Sequence, residues 1–226
     1  GMIHPNMATM IAVLTTDLSI SKELLQEALS EDVKHTFNMI SVDRDTSTND
    51  TLVILANGMA GNPEIKEKNE DYYTFCKALN IVTTKLSKML AADGEGATKL
   101  LEVTVKGAKT WEDAAALSKS VISSNLVKSM IFGKDANWGR VLCALGYSGV
   151  EFDPEKVDLV IESTNGSLTL AENGMAADYS EEKATEILSA DEVKVLVDIK
   201  QGSAAATAWG CDLTYDYVKI NADYRS

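Results

Sequence analysis

The order of strand-like and helix-like segments most restricts the fold of this chain. Short apolar runs typical of strands come in groups, and amphipathic patterns typical of helices separate the groups, without a strict strand–helix alternation. This order predicts an α+β fold with layered mixed sheets packed with helices, rather than a doubly wound sheet. Strands 37–42 and 51–56 are expected to pair, closed by the turn Asn57-Gly58. The expected strands are 9–16, 37–42, 51–56, 100–106, 157–161, 167–170, 193–199 and 208–220, and the expected helices follow Ser21, run over 63–92 and 111–130, and follow Ser180.

The turn Gly94-Glu95-Gly96 ends the long helix that is expected over 63–92. A sharp turn of this kind after a long helix is a natural boundary between two parts of a chain. We therefore expect two subdomains, at 1–97 and 98–226.

The segment Pro5-Asn6-Met7-Ala8-Thr9-Met10-Ile11 carries the strongest chemical signal. Thr9 follows a small residue at the end of a turn-forming stretch, and an apolar run begins directly after it. A cut between Ala8 and Thr9 would place the threonine hydroxyl beside its own free amine, which is a nucleophile with a built-in base. Neither histidine of the chain lies in a recognisable Ser/Cys-His-Asp context. The alternative is that Thr9 is an ordinary residue at the start of a strand.

Composition limits the partners. The formal net charge is -13, with 45% hydrophobic and 24% charged residues, a globular and acidic profile. Nucleic acids and anionic membranes prefer basic proteins, so we expect neither as a partner. No segment approaches the roughly 18–20 apolar residues that a membrane span needs. Cys76, Cys143 and Cys211 form no Cys-x-x-Cys pair, which argues against a zinc site or disulfide framework and favours a cytoplasmic setting.

Other polar segments are candidates for a site. Asp43-x-Asp45-x-Ser47 starts like a calcium loop but lacks the required glycine and closing glutamate, so we expect a hydrogen-bonded turn network instead. Glu95, between two glycines, either faces a ligand ammonium or is an exposed acid on a loop. Segment 134–140 has the composition of a turn or an interface loop. Segment 221–226 is polar and ends the sequence with tyrosine, arginine and serine.

Together these segments resemble the ornithine acetyltransferase family, the glutamate N-acetyltransferases of arginine biosynthesis. The resemblance rests on the order and combination of the segments across the whole chain, since each one alone is only modestly specific. They are Gly-Met-Ile-His-Pro-Asn-Met-Ala-Thr-Met at 1–10, Asp-Thr-Ser-Thr-Asn-Asp-Thr at 45–51 with Ala-Asn-Gly at 56–58, 93–99, 134–140 and 221–226.

The resemblance implies a self-processing, N-terminal-nucleophile-like enzyme. Its precursor would cut itself between Ala8 and Thr9, and this chain would be the β chain with the last eight α residues attached. Thr9 would be the catalytic nucleophile and also contact substrate. Glu95, Asn221 and Ser226 match substrate-binding positions of the family, with Ser226 standing where threonine is frequent. The first subdomain would share its core with the α chain, and the last residues of the second would return to the active site.

The reaction implied is acetyl transfer from N-acetylornithine to Thr9 and then to glutamate. No metal or cofactor is implied, although acetyl-coenzyme A is a candidate co-substrate. The family's oxyanion hole and two further substrate-binding residues lie in the α chain, so this chain alone is expected to be inactive. The expected assembly is a heterotetramer of two α and two β chains. Arg44 stands where the family often has glycine.

Two other functions stay open from the sequence. One is an N-terminal-nucleophile amidase or aminopeptidase, in which water is the final acceptor. The other is a non-catalytic assembly subunit, in which the bond between Ala8 and Thr9 is never cut.

Overall fold

The computed structural model of the protein describes residues 1–4 and 10–223, and the chain divides into two compact units. The first contains Gly1–Asn38 and Asp43–Ser87, and the second contains Met39–Val42 and Lys88–Ser226. The functional boundary that the sequence predicts, between 97 and 98, stays a prediction. Over the described ranges, no helix has the length and apolar character needed to cross a membrane.

The first unit combines a two-stranded sheet with helices. Strands β1 (Ile11–Thr16) and β3 (Thr51–Ala56) pair in parallel. Helix α1 (Lys22–His35) begins where the sequence predicts, because the Ser21 side chain accepts a hydrogen bond from the backbone of the first turn. Helix α2 (Glu70–Ala92) follows β3, and the division between the units falls near its end. The buried core of this unit is Leu14, Ala28, Leu29, Ile65, Tyr72 and Leu79.

The second unit contains a seven-stranded mixed sheet. Its strands are β2 (Ile40–Ser41), β4 (Leu100–Ala108), β5 (Asp158–Ser163), β6 (Gly166–Glu172), β7 (Met175–Ala176), β8 (Glu192–Asp198) and β9 (Ala204–Cys211). In space they follow the order β2-β9-β4-β8-β5-β6-β7. Strand β4 is parallel to β8 and antiparallel to β9. The helices of this unit are α3 (Trp111–Ile122), α4 (Asn125–Gly133), α5 (Trp138–Gly146), α6 (Glu181–Ile187) and α7 (Tyr215–Asp223).

Burial in the second unit follows the alternation that the sequence shows. Leu101, Val103 and Val105 on β4 are completely buried, and α3 packs against β4 and β9. Burial of such side chains contributes roughly 1.5–3 kcal/mol each. The prediction of an α+β fold with layered mixed sheets and helices is confirmed.

The predicted pairing of 37–42 with 51–56 is wrong. Strand β3 pairs with β1 instead, while Ile40 and Ser41 pair in parallel with β9 of the other sheet. Both strands thus pair with segments that are distant in the sequence and not with each other. The turn at Asn57-Gly58 therefore does not close a strand pair. The local turn signal was real, but a turn alone does not choose the partner of a strand.

The predicted helix over 63–92 begins later, at Glu70. Ile65 is extended because its backbone bonds with Ser19 and Ser21, and the Asn69 side chain then accepts from the Tyr72 N–H. The predicted helix over 111–130 is two helices, because the Ser124 hydroxyl accepts from the Val127 N–H and starts α4.

The predicted final strand over 208–220 is a strand only as far as Cys211. Strand β9 ends at Cys211, and helix α7 follows. The hydroxyl of Thr214 accepts from the Tyr217 N–H at 3.3 Å, which is the hydrogen bond of a helix N-cap. Asn221 therefore lies on a helix and not after a strand.

Candidate active site

The turn after α2 carries Glu95 between two glycines at which an added Cβ would come too close to neighbouring atoms. A Cβ on Gly94 would lie 2.9 Å from both Val42 Cγ1 and Cys211 Sγ. Gly96 has φ +66, and a Cβ there would lie 2.6 Å from the Tyr217 backbone nitrogen. The turn is therefore pressed directly against the start of α7.

Thr214 joins this turn to α7. Its hydroxyl donates to the Gly96 carbonyl at 2.7 Å and accepts from the Tyr217 N–H. The same side chain thus caps the helix and fixes the turn, which sets the position of Glu95 relative to the residues of α7.

Glu95 and Asn221 are hydrogen-bonded to each other. Asn221 Nδ2 donates to Glu95 Oε2 at 2.8 Å and to the Tyr217 carbonyl at 3.0 Å. The hydrogen bond from Asn221 is the main cause that lowers the pKa of Glu95, so the carboxylate is ionised at neutral pH. The structure brings together two residues that the sequence could only place far apart.

Asp212 supports the chain that leaves the turn. Its carboxylate accepts from the Thr98 N–H at 2.8 Å, from the Lys99 N–H at 3.1 Å and from the Thr98 hydroxyl. Asp212 itself is buried. Sequence reasoning missed this residue, since its partners lie more than a hundred positions away.

In the second unit, segment 134–140 joins α4 to α5, and its residues 138–140 already belong to α5. Its role as an interface loop stays a prediction. Lys134 ends α4 with φ +56, and Arg140 donates to the Leu126 carbonyl at 3.1 Å. Burial lowers the pKa of Lys99, and the nearby positive charge of Lys134 lowers it further.

In the first unit, Asp43 organises the polar loop before β3. Its carboxylate accepts from the N–H groups of Met2 (2.7 Å), Ile3 (3.0 Å) and Asp45 (3.2 Å). The prediction of a hydrogen-bonded turn network is confirmed. Arg44 in this loop has φ +70, a conformation that favours glycine.

Asp50 at the end of this loop fixes the start of β1. Its Oδ1 accepts from the Met10 N–H at 2.7 Å, and the Met10 carbonyl accepts from the Thr51 N–H at 2.7 Å. Asp50 Oδ2 is buried and has no hydrogen-bond partner among the described residues. Burial raises the pKa of this carboxyl, while the Met10 N–H lowers it. Sequence reasoning placed Asp50 in the segment 45–51 that resembles the family, but it missed the hydrogen bond of this side chain to Met10.

Ala8, Thr9 and Ser226 lie outside the described residues. Their predicted roles, and the substrate-binding roles of Glu95 and Asn221, stay predictions. Met10, which follows Thr9 in the sequence, is the described residue nearest to it along the chain.

A family model described as the ArgJ family matches residues 1–226. This chain belongs to the ArgJ family. The sequence-based assignment to the ornithine acetyltransferases is thereby confirmed, since about half of the residues of this chain, over its whole length, are identical in curated ArgJ proteins.

The curated relatives carry the name arginine biosynthesis bifunctional protein. ArgJ 1 of Clostridium acetobutylicum is 55% identical over all of this chain, which covers 55% of that protein. ArgJ of Caldanaerobacter subterraneus is 52% identical, with 56% of its length covered, and ArgJ of Thermotoga neapolitana is 49% identical, with 57% covered. The chain thus spans little more than half the length of the curated ArgJ proteins it matches.

A crystal structure of arginine biosynthesis bifunctional protein ArgJ from Bacillus halodurans has a closely similar fold. It superimposes with a TM-score of 0.91 at 46% identity, over 96% of this chain and 100% of the solved chain. The fold described above is therefore an ArgJ fold.

Proposed function

We propose that this chain is the β portion of a self-cleaving ArgJ enzyme that transfers acetyl from N-acetylornithine to glutamate. The observation that carries the proposal is the ionised Glu95 held by Asn221, in a chain matched over its full length by the ArgJ family. A fixed carboxylate in a partly exposed turn is suited to an ammonium group, which N-acetylornithine carries on its side chain and which glutamate carries on its α-carbon until that amine loses a proton to attack.

Cleavage between Ala8 and Thr9 is the first proposed step. The Thr9 hydroxyl oxygen attacks the Ala8 carbonyl carbon, the amide C–N bond breaks, and the Thr9 nitrogen takes up the proton. Water then hydrolyses the resulting ester, which leaves a carboxylate on Ala8 and restores the Thr9 hydroxyl. Asp43 and Asp50 support this step, because they hold the chain at residues 2–3 and at Met10, on either side of the proposed bond.

Acetyl transfer then uses the freed amine of Thr9 as its base. With an ordinary pKa of roughly 7.7–8.0, this amine can accept the hydroxyl proton near neutral pH. The hydroxyl oxygen attacks the acetyl carbonyl of N-acetylornithine, and ornithine leaves with the proton on its amine. The amine of glutamate next attacks the acetyl-threonine ester, N-acetylglutamate forms, and the Thr9 hydroxyl is restored. The two substrates therefore use one site in turn.

The geometry of Asn221 indicates what Glu95 and Asn221 bind. Both N–H groups of the Asn221 amide are donated, to Glu95 and to the Tyr217 carbonyl. An amide has only two such donors, so its remaining capacity is the oxygen, an acceptor. A carboxylate beside an acceptor oxygen suits an ammonium group. Binding of a substrate carboxylate then falls to other groups, for which Ser226 is the candidate in this chain.

The rest of the site is proposed to come from the α chain. The oxyanion hole and two substrate contacts would be supplied there, so the 226-residue chain alone would be inactive, and the working assembly would be a cytoplasmic heterotetramer of two α and two β chains. No metal or other cofactor takes part in the steps above. The relatives are named bifunctional, and acetyl-coenzyme A is the proposed second acetyl donor.

Product analysis tests the proposal against its alternatives. The assembled protein is given N-acetylornithine with and without glutamate, and N-acetylglutamate is measured by mass spectrometry. We expect N-acetylglutamate only when glutamate is present, with little free acetate. Equal release of acetate with or without glutamate would instead establish the amidase. An uncut Ala8–Thr9 bond in the purified full-length protein would support the non-catalytic subunit.

A further inference from the structure

Self-cleavage, as proposed, needs a base that Thr9 itself does not supply in the uncut chain. Before the cut, the Thr9 nitrogen belongs to an amide, whose lone pair is delocalised into the carbonyl group. The free amine that serves as the base in acetyl transfer therefore does not yet exist when the hydroxyl attacks Ala8. The same nitrogen must also gain a proton as the C–N bond breaks. A proton must thus pass from the oxygen to the nitrogen of one residue through another group.

The carboxylate of Asp50 is held beside the peptide group that follows Thr9. Asp50 Oδ1 accepts from the Met10 N–H at 2.7 Å. Bond lengths keep the nitrogen atoms of adjacent residues roughly 3–4 Å apart in every backbone conformation. Asp50 Oδ1 is therefore within about 7 Å of the Thr9 nitrogen whatever conformation this residue adopts. The Thr9 hydroxyl belongs to the same residue, so the carboxylate lies in the neighbourhood of both reacting atoms.

The second oxygen of Asp50 has the properties of a proton carrier. Oδ2 is buried and accepts no hydrogen bond in the part of the chain that the structure describes. Asp43 in the same loop differs, since its Oδ2 accepts from Met2 and its Oδ1 from Ile3. A buried acceptor left unpaired destabilises a folded protein, so the unused oxygen of Asp50 fits a partner that binds during the reaction.

The charge state of Asp50 supports the same role. Burial raises the pKa of this carboxyl, while the Met10 N–H lowers it. A carboxyl whose pKa is raised toward the operating pH takes up and releases a proton more readily there, which is what acid–base catalysis requires.

We propose that Asp50 Oδ2 carries the proton of self-cleavage from the Thr9 hydroxyl to the Thr9 nitrogen. As the hydroxyl oxygen bonds to the Ala8 carbonyl carbon, its O–H bond breaks and Oδ2 takes the proton. When the C–N bond then breaks, Oδ2 returns this proton to the nitrogen, which becomes the free amine. The carboxylate is restored, and the amide has become an ester without net gain or loss of protons. This role rests on the proposed function, which takes Ala8–Thr9 as the bond that is cut.

Timed cleavage of the full-length precursor tests the role of Asp50. The wild type, Asp50→Asn and Asp17→Asn are made by cell-free translation, and the uncut fraction is followed by intact-mass measurement. We expect cleavage at least about a hundredfold slower in Asp50→Asn, because its amide oxygen still accepts from the Met10 N–H but the side chain no longer carries a proton. Asp17→Asn, at an exposed aspartate directly after β1, is the control and should cleave at the wild-type rate.

Chemical rescue separates proton transfer from a structural effect. Asp50→Ala leaves space for a small carboxylic acid, so added sodium formate should speed its cleavage at least tenfold, and sodium chloride at the same ionic strength should not. Slow cleavage in both Asp50 variants without restoration by formate would assign this residue to anchoring alone and overturn the proposal.

The same measurements distinguish this role from the proposed function. A wild type cut at Ala8–Thr9 together with equally fast cleavage of Asp50→Asn would overturn the proton transfer alone. A wild type that stays uncut, or is cut at another bond, would contradict the proposed function and this role with it.

Discussion

Asp50 holds Met10 at the start of β1: the Met10 N–H donates to Asp50 Oδ1 at 2.7 Å. The Thr51 N–H binds the Met10 carbonyl at the same distance, so both polar groups of this peptide are fixed. Because Met10 directly follows Thr9, the contact anchors the chain one residue after the proposed nucleophile. The second oxygen of Asp50 is buried without a partner among the described residues. The stability of the folded protein should therefore depend on whether this carboxyl is ionised.

Two substitutions of Asp50 should separate its hydrogen bond from its charge. Asp50→Ala leaves the Met10 N–H without its acceptor, and we expect a loss of about 1–3 kcal/mol in the free energy of unfolding. Asp50→Asn keeps an acceptor oxygen and should lose much less. Urea unfolding of both variants and the wild type measures the difference, and equal losses would contradict an anchoring hydrogen bond.

The pH dependence of Asp50→Asn has a definite sign. Burial raises the pKa of Asp50, so its contribution to stability is present below the unfolded pKa and is lost as pH rises through the folded pKa. Asn does not titrate, so the stability of Asp50→Asn relative to the wild type should increase as the pH rises above about 4, the ordinary pKa of an aspartate. A constant or decreasing difference above that pH would show that burial does not dominate at this carboxyl.

Removal of the Thr9 hydroxyl should abolish both cleavage and transfer. Thr9→Ala in the full-length protein is expected to stay uncut, because the attacking oxygen is missing, and to form no N-acetylglutamate. Thr9→Ser keeps the hydroxyl and should retain cleavage at a reduced rate. Intact-mass measurement checks the bond, since the cut releases Thr9 as a new N-terminus. A processed and active Thr9→Ala enzyme would exclude the proposed mechanism.

Glu95 should control substrate binding, and Asn221 should control the pH below which that binding is lost. Glu95→Gln removes the charge that is proposed to bind an ammonium group. The KM for N-acetylornithine should therefore rise at least about tenfold, equivalent to about 1.4 kcal/mol. Glu172→Gln, at an exposed glutamate of β6, is the control and should leave KM unchanged.

Asn221→Ala tests the coupling between these two residues through pH. The hydrogen bond from Asn221 is the main cause of the lowered pKa of Glu95, so its loss should raise that pKa. The ionised form then disappears at higher pH, and the acid limb of kcat/KM should move toward neutral pH. The profile is measured in the assembled enzyme, and an acid limb that stays in place would rule out Glu95 as the titrating group.

Gly96 should be far less replaceable than another glycine with positive φ. Gly96→Ala would place Cβ 2.6 Å from the Tyr217 nitrogen and 2.8 Å from the Asp216 carbonyl carbon. We expect a loss of more than about 2 kcal/mol, because backbone must move. Gly61→Ala is the control: its φ is +75 but no atom lies within 4 Å of the new Cβ, so only conformational strain of about 1 kcal/mol remains. Denaturant unfolding compares the two variants. Equal losses of unfolding free energy would mean that α7 moves away from the new Cβ at little energetic cost.

Arg44→Gly should stabilise the protein. Arg44 has φ +70, where a side chain costs roughly 1–2 kcal/mol, although glycine returns part of this through its more flexible unfolded chain. We expect a net gain of about 0.5 kcal/mol in unfolding free energy. Arg44→Ala removes the charge but keeps Cβ, so it should show no such gain. A gain of the same size in both variants would assign the effect to charge instead of conformation.

The sequence predicted the strands and helix starts that depend on neighbouring residues, through side-chain alternation and N-cap hydrogen bonds. The alternation of Leu101, Val103 and Val105 has a period of two because one side of β4 faces the core, and Ser21 and Ser180 start helices because their hydroxyls accept from the first turn. The pairing of Glu95 with Asn221 was out of reach of such patterns. This pairing depends on Thr214, whose hydroxyl caps the N-terminus of α7 and also donates a hydrogen bond to the Gly96 carbonyl in the turn that carries Glu95.

Residues that act through distant partners escaped prediction for the same reason. In the sequence, Asp212 is an ordinary acid after a strand, and Asp50 is an ordinary acid before one. Only the folded structure shows which N–H groups donate hydrogen bonds to their carboxylates. The break between α3 and α4 at Ser124 was hidden by the apolar residues on both sides. A cap inside a continuous amphipathic pattern has too little local contrast to be recognised.

Strand β2 determines how this polypeptide can be divided. Residues 39–42 belong to the second unit, yet in the sequence they lie between two segments of the first. Ser41 pairs with Gly210 so closely that a Cβ on Gly210 would lie 2.7 Å from the Ser41 carbonyl oxygen. A fragment that starts at Lys88 would lack this edge strand, and no single proteolytic nick could release either unit as one uninterrupted piece. The sheet of the second unit is therefore complete only in a chain that also carries residues 39–42, which the sequence places inside the first unit.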